Sequence, residues 1–287
     1  MLPARCAYLV LAHQRPRQLR MLLEAISDPR DLILLHVDLK SLLGLQSKRN
    51  GVWAMARDLA RHYPNVLLMR PRFTNWGGWS LSQLMLDGIE LALHSSSDWT
   101  HLINLSGQCY PIKPIDEIRS ELSSAGDQVF VQLRHLSTLP DDDWHLRWHS
   151  MVELPHRAIK LKRPRTPPSG FELEYKGSQW CILPRSFCEW QRQAPVAQQI
   201  RRYLRGLLLS DELIVQTLVR NGPWRDKVAT HYGREIVWPG PRVMTMADWP
   251  LLMASPALFA RKFDHLTDAE VVPALAREFG LRLPEWS

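Results

Sequence analysis

At 287 residues, with 45% hydrophobic and 23% charged side chains, the chain has the balance of a folded globular protein and the length of one large α/β domain or two small ones. Its net charge of +7 directs attention to acidic partners such as nucleotides or an anionic membrane. Nucleic acid is disfavoured, because the basic residues are scattered and zinc-finger, helix-turn-helix and RNP patterns are lacking.

Cys6, Cys109, Cys181 and Cys188 form no C-x-x-C pair, so neither zinc nor a redox dithiol is signalled. Cys6 and Cys181 lie in apolar runs and read as small buried hydrophobes in a reducing compartment. No apolar run approaches the ~20 residues of a membrane span. Met1-Leu2-Pro3-Ala4-Arg5 leads straight into a strand without a signal peptide, so the expected location is cytoplasmic.

In chain order, Cys6 to Ala12 is a buried strand, followed by helical spacing from Pro16 to Ile26 at Leu19, Leu22, Leu23 and Ile26. Leu32 to Val37 and Asn65 to Met69 are further strands, with a helix over Val52 to Tyr63 between them. This rhythm predicts an α/β fold with a parallel, doubly wound sheet. Trp79 to His94 reads as an amphipathic helix, His101 to Leu105 as a strand and Asp116 to Leu122 as a helix. Gln128 to Leu133 opens the second half, and the Pro-rich, charged residues 136–170 read as long loops around a site. Gln179 to Leu183 is a strand and Pro184 to Gln193 a helix, with another over Asp211 to Val219. Ile236 to Trp238 is a short strand, and Asp268 to Phe279 a terminal helix.

Ligands of open parallel sheets bind beyond the carboxyl ends of the strands. That rim carries His13, the His36-Val37-Asp38 segment, Phe73 to Gly78 and Ser106-Gly107. No G-x-G-x-x-G, P-loop or G-x-S-x-G signature is present. Asp38 can accept hydrogen bonds from a ribose or a base, or serve as a helix cap. In Asn75-Trp76-Gly77-Gly78-Trp79-Ser80 the glycines permit close backbone approach, and the helix start suits an anion; the alternative is a tight turn capped by Ser80. Asp141-Asp142-Asp143 has the D-x-D spacing of some metal sites but lies in a polar loop, where a solvated acidic turn is expected.

Ser210-Asp211-Glu212 opens an apolar helix. Asp211 fits a cap, and Glu212 is either a first-turn acid or a general base. In Leu258-Phe259-Ala260-Arg261-Lys262-Phe263-Asp264, two aromatics flank two cations. Buried aromatics there would make the cations fixed charges, able to neutralise a diphosphate leaving group; the alternative is a snorkelling surface pair. The high tryptophan count, 12, suits a protein that grips flat rings or sugars.

Seven segments occur together and in order: YLVLAH, ILLHVD, WGGWS, THLINLSGQCYPIK, KGSQWCILPRSF, SDELIVQTLVRN and LFARKFD. In this the chain resembles the core-2/I-branching β-1,6-N-acetylglucosaminyltransferase family, which includes the peptide xylosyltransferases. The resemblance implies a GT-A-like fold with a central mostly parallel sheet, in a single domain spanning 1–287. Residues 1–125 would be the nucleotide-binding half, and 126–287 the acceptor-binding and catalytic half. It implies inverting, metal-independent transfer from a UDP-sugar of the GlcNAc or xylose class to a hydroxyl of a glycan or lipid-linked glycan. By the same resemblance Asp38 contacts the nucleotide, Glu212 is the base and Lys262 contacts the diphosphate. Arg242 is the candidate second cation with Arg234 as alternative, and His13 lies beside the nucleotide. Arg147, in Trp144-His145-Leu146-Arg147-Trp148, matches an acceptor-side segment; Gln179 falls on the G-S-x-W motif. Trp76 and Trp180 are candidate sugar platforms or core.

Two departures stand out. Cys109 replaces an acid common in the family's S-G-x-D-[FY]-P, and Gln179 replaces an acid of xylosyltransferase-like members. The lack of an anchor and of many disulfides matches a bacterial, cytoplasmic member that rests on the anionic inner leaflet. The alternative is a non-catalytic nucleotide-sugar or carbohydrate-binding protein of the same fold.

Overall fold

The computed structural model describes all residues except 1–2, 45–50, 97, 141–148, 156, 167, 239 and 286–287. In chain order the elements are β1 (Cys6–Ala12), α1 (Pro16–Ile26), β2 (Leu32–Val37), α2 (Leu39–Leu43), α3 (Val52–His62), β3 (Val66–Leu68), α4 (Trp79–Ser95), β4 (His101–Ser106), β5 (Cys109–Pro111) and α5 (Ile115–Ala125). Then come β6 (Arg134–His135), β7 (His149–Leu154), β8 (Arg157–Pro164), β9 (Tyr175–Lys176), β10 (Ile182–Pro184), α6 (Arg185–Gln193), α7 (Pro195–Leu204) and α8 (Ile214–Arg220). β11 (Arg234–Ile236), α9 (Trp249–Ala254), β12 (Phe259–Arg261) and α10 (Val271–Phe279) complete the described chain.

These elements cluster into two compact units. Unit 1 contains residues 1–72, 98–126 and 233–287, and unit 2 contains 73–97 and 127–232. The grouping therefore does not follow a cut near residue 125: the C-terminal segment returns to the first unit, and α4 belongs to the second.

Unit 1 is built on the parallel order β4-β1-β2-β3, with Leu9 opposite Leu34 on one side and Asn104 on the other. These strands read as near-continuous apolar runs because both faces of the sheet are buried. A smaller mixed sheet, β11-β12-β5, sits on a core containing Met21, Tyr110, Phe263 and Leu275. Arg119 anchors the lower end of the unit, pairing with Asp31 at 2.7 Å and Asp28 at 3.0 Å. Burial pushes the Asp31 carboxyl up, and its Oδ1 accepts the Cys6 backbone N–H at 2.8 Å.

Unit 2 packs α4, α6, α7 and α8 with the β6–β9 pair and the antiparallel hairpin β7–β8. Phe187, Trp190 and Trp224 form an aromatic cluster with centroids 5.2–6.0 Å apart. The hairpin lies where residues 136–170 were expected to be loops. On it, Val152 faces Ile159 and Ser150 faces Leu161, a two-residue alternation hidden among charged neighbours. The segment 128–133 makes only isolated bridges at Val129 and Phe130. The helix expected from Asp211 starts instead as a 3₁₀ turn, Ser210–Glu212, before α8. Among the described residues no helix is long and apolar enough to cross a membrane.

Candidate active site

The nucleotide-side candidates all fall in unit 1. β1 and β2 end beside one another, and their ends are tied together. The Asp38 N–H donates to the Ala12 carbonyl at 2.9 Å, and the Ser41 hydroxyl to the His13 carbonyl at 2.5 Å. Asp38 is buried and caps α2, accepting the Lys40 N–H at 2.7 Å. His13 is exposed on the rim. Its pKa is lowered, first by the protein packed around the ring and then by Lys262, Arg261 and Lys40, with Asp38 opposing. Three cations and one carboxylate thus act on one imidazole, and an anion arriving there meets a net positive field.

The Arg261–Lys262 pair is fixed from every side. Phe259 and Phe263 are fully buried, as expected for aromatics that pin the segment. Arg261 lies on β12 opposite Cys109 of β5. The Lys262 carbonyl accepts the Met244 N–H at 2.8 Å, and the Phe263 N–H donates to the Gln108 carbonyl at 2.9 Å. The Gln108 amide donates to the Phe263 carbonyl at 3.2 Å, and its oxygen accepts from Gln14 at 3.1 Å. Asp264 pairs with Arg15 at 2.7 Å rather than with Arg261. Cys109 has a structural role in the same turn: its Sγ accepts the Ser106 N–H at 3.3 Å, a contact an acid could also make.

Arg242 is differently placed. Its guanidinium makes two bonds to Asp248, at 2.6 and 2.8 Å, so its charge is already met. The alternative, Arg234, is buried, donates to the Asn104 and Gly233 carbonyls and lies over the Phe259 ring. On His13 the charges of Lys262 and Arg261 act together with that of Lys40, a cation that sequence reasoning passed over.

The catalytic and acceptor-side candidates fall in unit 2. Glu212 ends the Ser210–Glu212 turn, with its side chain 29% exposed and Lys176 Nζ 3.7 Å from Oε2. The turn is tied down by the Leu209 N–H to Gly77 carbonyl bond at 2.6 Å and by the Ser82–Ser210 hydroxyl pair at 3.0 Å. Gly177 donates its N–H to the Glu212 carbonyl at 2.9 Å. A Cβ at Gly177 would lie 1.9 Å from the Gln132 carbonyl oxygen, so only glycine fits this approach.

Glu153 was not visible to sequence reasoning. Its carboxylate accepts the Ser80 N–H at 3.0 Å and also takes the Ser80 hydroxyl and the Asn75 amide. The anion at the start of α4 is therefore the protein's own Glu153, and a Cβ at Gly78 would sit 2.1 Å from its Oε1, so a larger residue there would displace the carboxylate from Ser80. The only sequence signal was an acid isolated among apolar residues in Met151-Val152-Glu153-Leu154.

Asp211 is 6% exposed, and its Oδ1 is buried without a hydrogen-bond partner. Burial, then Glu212 and Glu153, push its pKa up to about 7. Its folded pKa therefore exceeds its unfolded value, so the folded state binds the extra proton as pH passes between about 4 and 7. Stability from this group is fully present below about pH 4 and is lost as pH rises through 7. Asp211→Asn removes that loss: its melting temperature should exceed the parent's at pH 8 by an amount that shrinks toward pH 4, with a gain of at most about 4 kcal/mol. Thermal melts across pH check this; parallel curves for the two proteins would refute it.

Trp180 is 5% exposed and belongs to the core, so it offers no face to a sugar. Trp76 is 69% exposed, with Lys160 Nζ 5.3 Å from its ring centroid. Gln179 is half-buried at the turn before β10. Arg147, the rest of its W-x-x-R-W segment and Asp141 to Asp143 lie outside the described residues. Among the described residues, no group of three or more His, Cys, Asp or Glu is arranged to hold a metal.

A parallel sheet with a charged rim at its strand ends defines an α/β protein whose ligand site is expected at those ends. Comparison with known families then gives a specific answer: residues 6–259 match the model of the family described as "Branch: Core-2/I-Branching enzyme". The chain belongs to the Core-2/I-Branching enzyme family, a family of glycosyltransferases. Xylosyltransferase 2 of Mus musculus is 28% identical over 301 residues, covering 95% of this chain and 33% of its own. Xylosyltransferase oxt of Drosophila melanogaster is 27% identical, covering 98% and 33%. The chain thus spans about a third of the length of these relatives. Among solved structures, mouse xyloside xylosyltransferase 1 aligns with a TM-score of 0.42 at 13% identity, over 89% of this chain and 97% of that one.

Proposed function

We propose that the protein transfers a sugar from a UDP-sugar to a hydroxyl of a glycan or glycoconjugate, with inversion at the anomeric carbon and without a metal ion. The observation that carries this reading is that the charges of Lys262, Arg261 and Lys40 converge on His13 at the tied ends of β1 and β2, with the backbone at Lys262 held by Met244. A diphosphate leaving group needs its developing charge neutralised, and preorganised ammonium and guanidinium groups do this without reorganisation. Glu212 takes the proton of the acceptor hydroxyl, which attacks C1 as the UDP oxygen departs from the opposite face. Asp38, at the end of β2, accepts from the nucleoside. The named relatives are xylosyltransferases, which favours xylose over GlcNAc as the donor sugar. The net charge of +7 suits an enzyme that rests on an anionic membrane and works on a lipid-linked acceptor.

Thermal shift across UDP-sugars, with and without EDTA, tests the donor side. At about 100 times its Kd, a true donor adds about 2.7 kcal/mol, a rise of several degrees. UDP-xylose should give the larger shift, EDTA should leave it unchanged, and UDP release with acceptor should also survive EDTA. Loss of activity in EDTA restored by Mn²⁺ would overturn metal independence, and binding without any turnover would mark a non-catalytic protein.

A further inference from the structure

Unit 2 also holds a groove of about 610 Å³ whose walls include no member of the Glu212 cluster. One wall is α4, which presents Trp79, Gln83, Asp87 and Glu90 along one face. The other comes from α6 and the end of α7, with Arg192, Arg201, Arg202 and Arg205. Four guanidinium groups thus face two carboxylates.

The acids do not balance them. Glu90 is engaged by Arg192 at 2.9 Å, and Asp87 accepts the Gln83 amide at 2.8 Å. Arg201 is half-buried and bonds only to the neutral oxygens of Gln191, and its Nε is buried without a hydrogen-bond partner. Burial lowers its pKa, with Glu90 only partly opposing, the mark of a desolvated charge in want of an anion. Arg202 and Arg205 are exposed, and neither side chain forms an ion pair with another described residue. Trp79 is held in place by its indole N–H, which donates to Gln83 Oε1 at 3.2 Å.

We propose that this groove is a binding site for an anionic saccharide. Its carboxylate, sulfate or phosphate is held by Arg201, Arg202 and Arg205, and a sugar ring lies on Trp79. The planar guanidinium fork matches each of these anions bidentately. An indole face takes the apolar face of a pyranose, and a concave wall of this size encloses a few sugar units. Single-stranded nucleic acid would call for several aromatics in succession to stack its bases, and the groove has one. The groove shares no lining residue with the donor cluster, and the proposal stands whether or not the donor is a UDP-sugar.

Calorimetry on the full chain tests it, with a galacturonate tetrasaccharide, a sulfated tetrasaccharide, a neutral maltotetraose and a short oligodeoxynucleotide as probes. At least one acidic saccharide should bind, more weakly as salt rises, while the neutral one does not. The double substitution Arg202→Ala/Arg205→Ala should weaken that binding at least about ten-fold. Trp79→Ala should weaken it about five-fold. Both variants should keep the parent's melting temperature and UDP affinity, which separates this site from the donor cluster. No binding of either acidic saccharide, equal binding of the neutral one, tighter binding of the oligodeoxynucleotide, or unchanged affinity in the double variant would each overturn the proposal.

Discussion

Replacing Glu212 by Gln should lower turnover about 10²- to 10⁴-fold while leaving the affinity for UDP within a factor of two. The amide has the shape of the carboxylate and keeps an oxygen facing the Lys176 ammonium, which lies 3.7 Å from Oε2 in the parent. The turn that presents it is held by backbone and hydroxyl bonds that do not involve the side chain: Leu209 to Gly77, Ser82 to Ser210 and Gly177 to the Glu212 carbonyl. The variant should therefore fold and melt like the parent, and the loss should be confined to proton acceptance. Steady-state UDP release with saturating acceptor measures kcat, and calorimetry with UDP measures binding. A variant that turns over at the parent's rate removes Glu212 from the chemistry. Asp211 would then be the carboxylate to examine next, since it is buried beside Glu212 and its pKa lies near neutrality.

Much of unit 1 could be read from the sequence because parallel strands buried on both faces advertise themselves. Cys6–Ala12, Leu32–Val37 and His101–Ser106 are apolar runs, and each was assigned to within a residue. The rim at their ends followed from topology alone, and His13 and Asp38 lie on it at the ends of β1 and β2. What brings Lys262 and Arg261 to His13 was not legible: β5 and β12 are three-residue strands, too short to show a period. The pairing of Arg242 was not legible in its own neighbours. Thr245-Met246-Ala247-Asp248 is a capping box, and Asp248 accepts both the Thr245 N–H, at 2.9 Å, and the Arg242 guanidinium. Glu153 lies on a hairpin taken for a loop, and its contacts with Ser80 and Asn75 span more than 70 positions of sequence. Family membership was accessible for a different reason. Seven ordered motifs identify a family even when each alone says little, and the match to residues 6–259 bears this out.

Lys262→Ala should weaken UDP binding about 10- to 100-fold, the range expected when one charge-assisted contact to a phosphate is removed. Turnover should fall at least as far, because charge on the diphosphate grows as the glycosidic bond breaks and the ammonium stabilises that state most. The backbone would not move. The Lys262 carbonyl is held by Met244, and the neighbouring Phe263 is buried and clamped on both its amide groups by Gln108. Truncation at Cβ thus removes the charge and little else. Two further substitutions separate this role from a general loss of positive field. Arg261→Ala should weaken UDP binding by a smaller factor, since Arg261 also acts on His13. Arg242→Ala should leave UDP affinity unchanged and lower the melting temperature by a degree or two, because its guanidinium is bound to Asp248. Calorimetry across the three variants ranks the cations directly. If Arg242→Ala proves the most damaging to UDP binding, the Asp248 pair must open to receive the diphosphate, and the anion site moves from the Lys262 rim to the 238–248 segment. If Lys262→Ala binds UDP like the parent, the ammonium has no part in holding the leaving group.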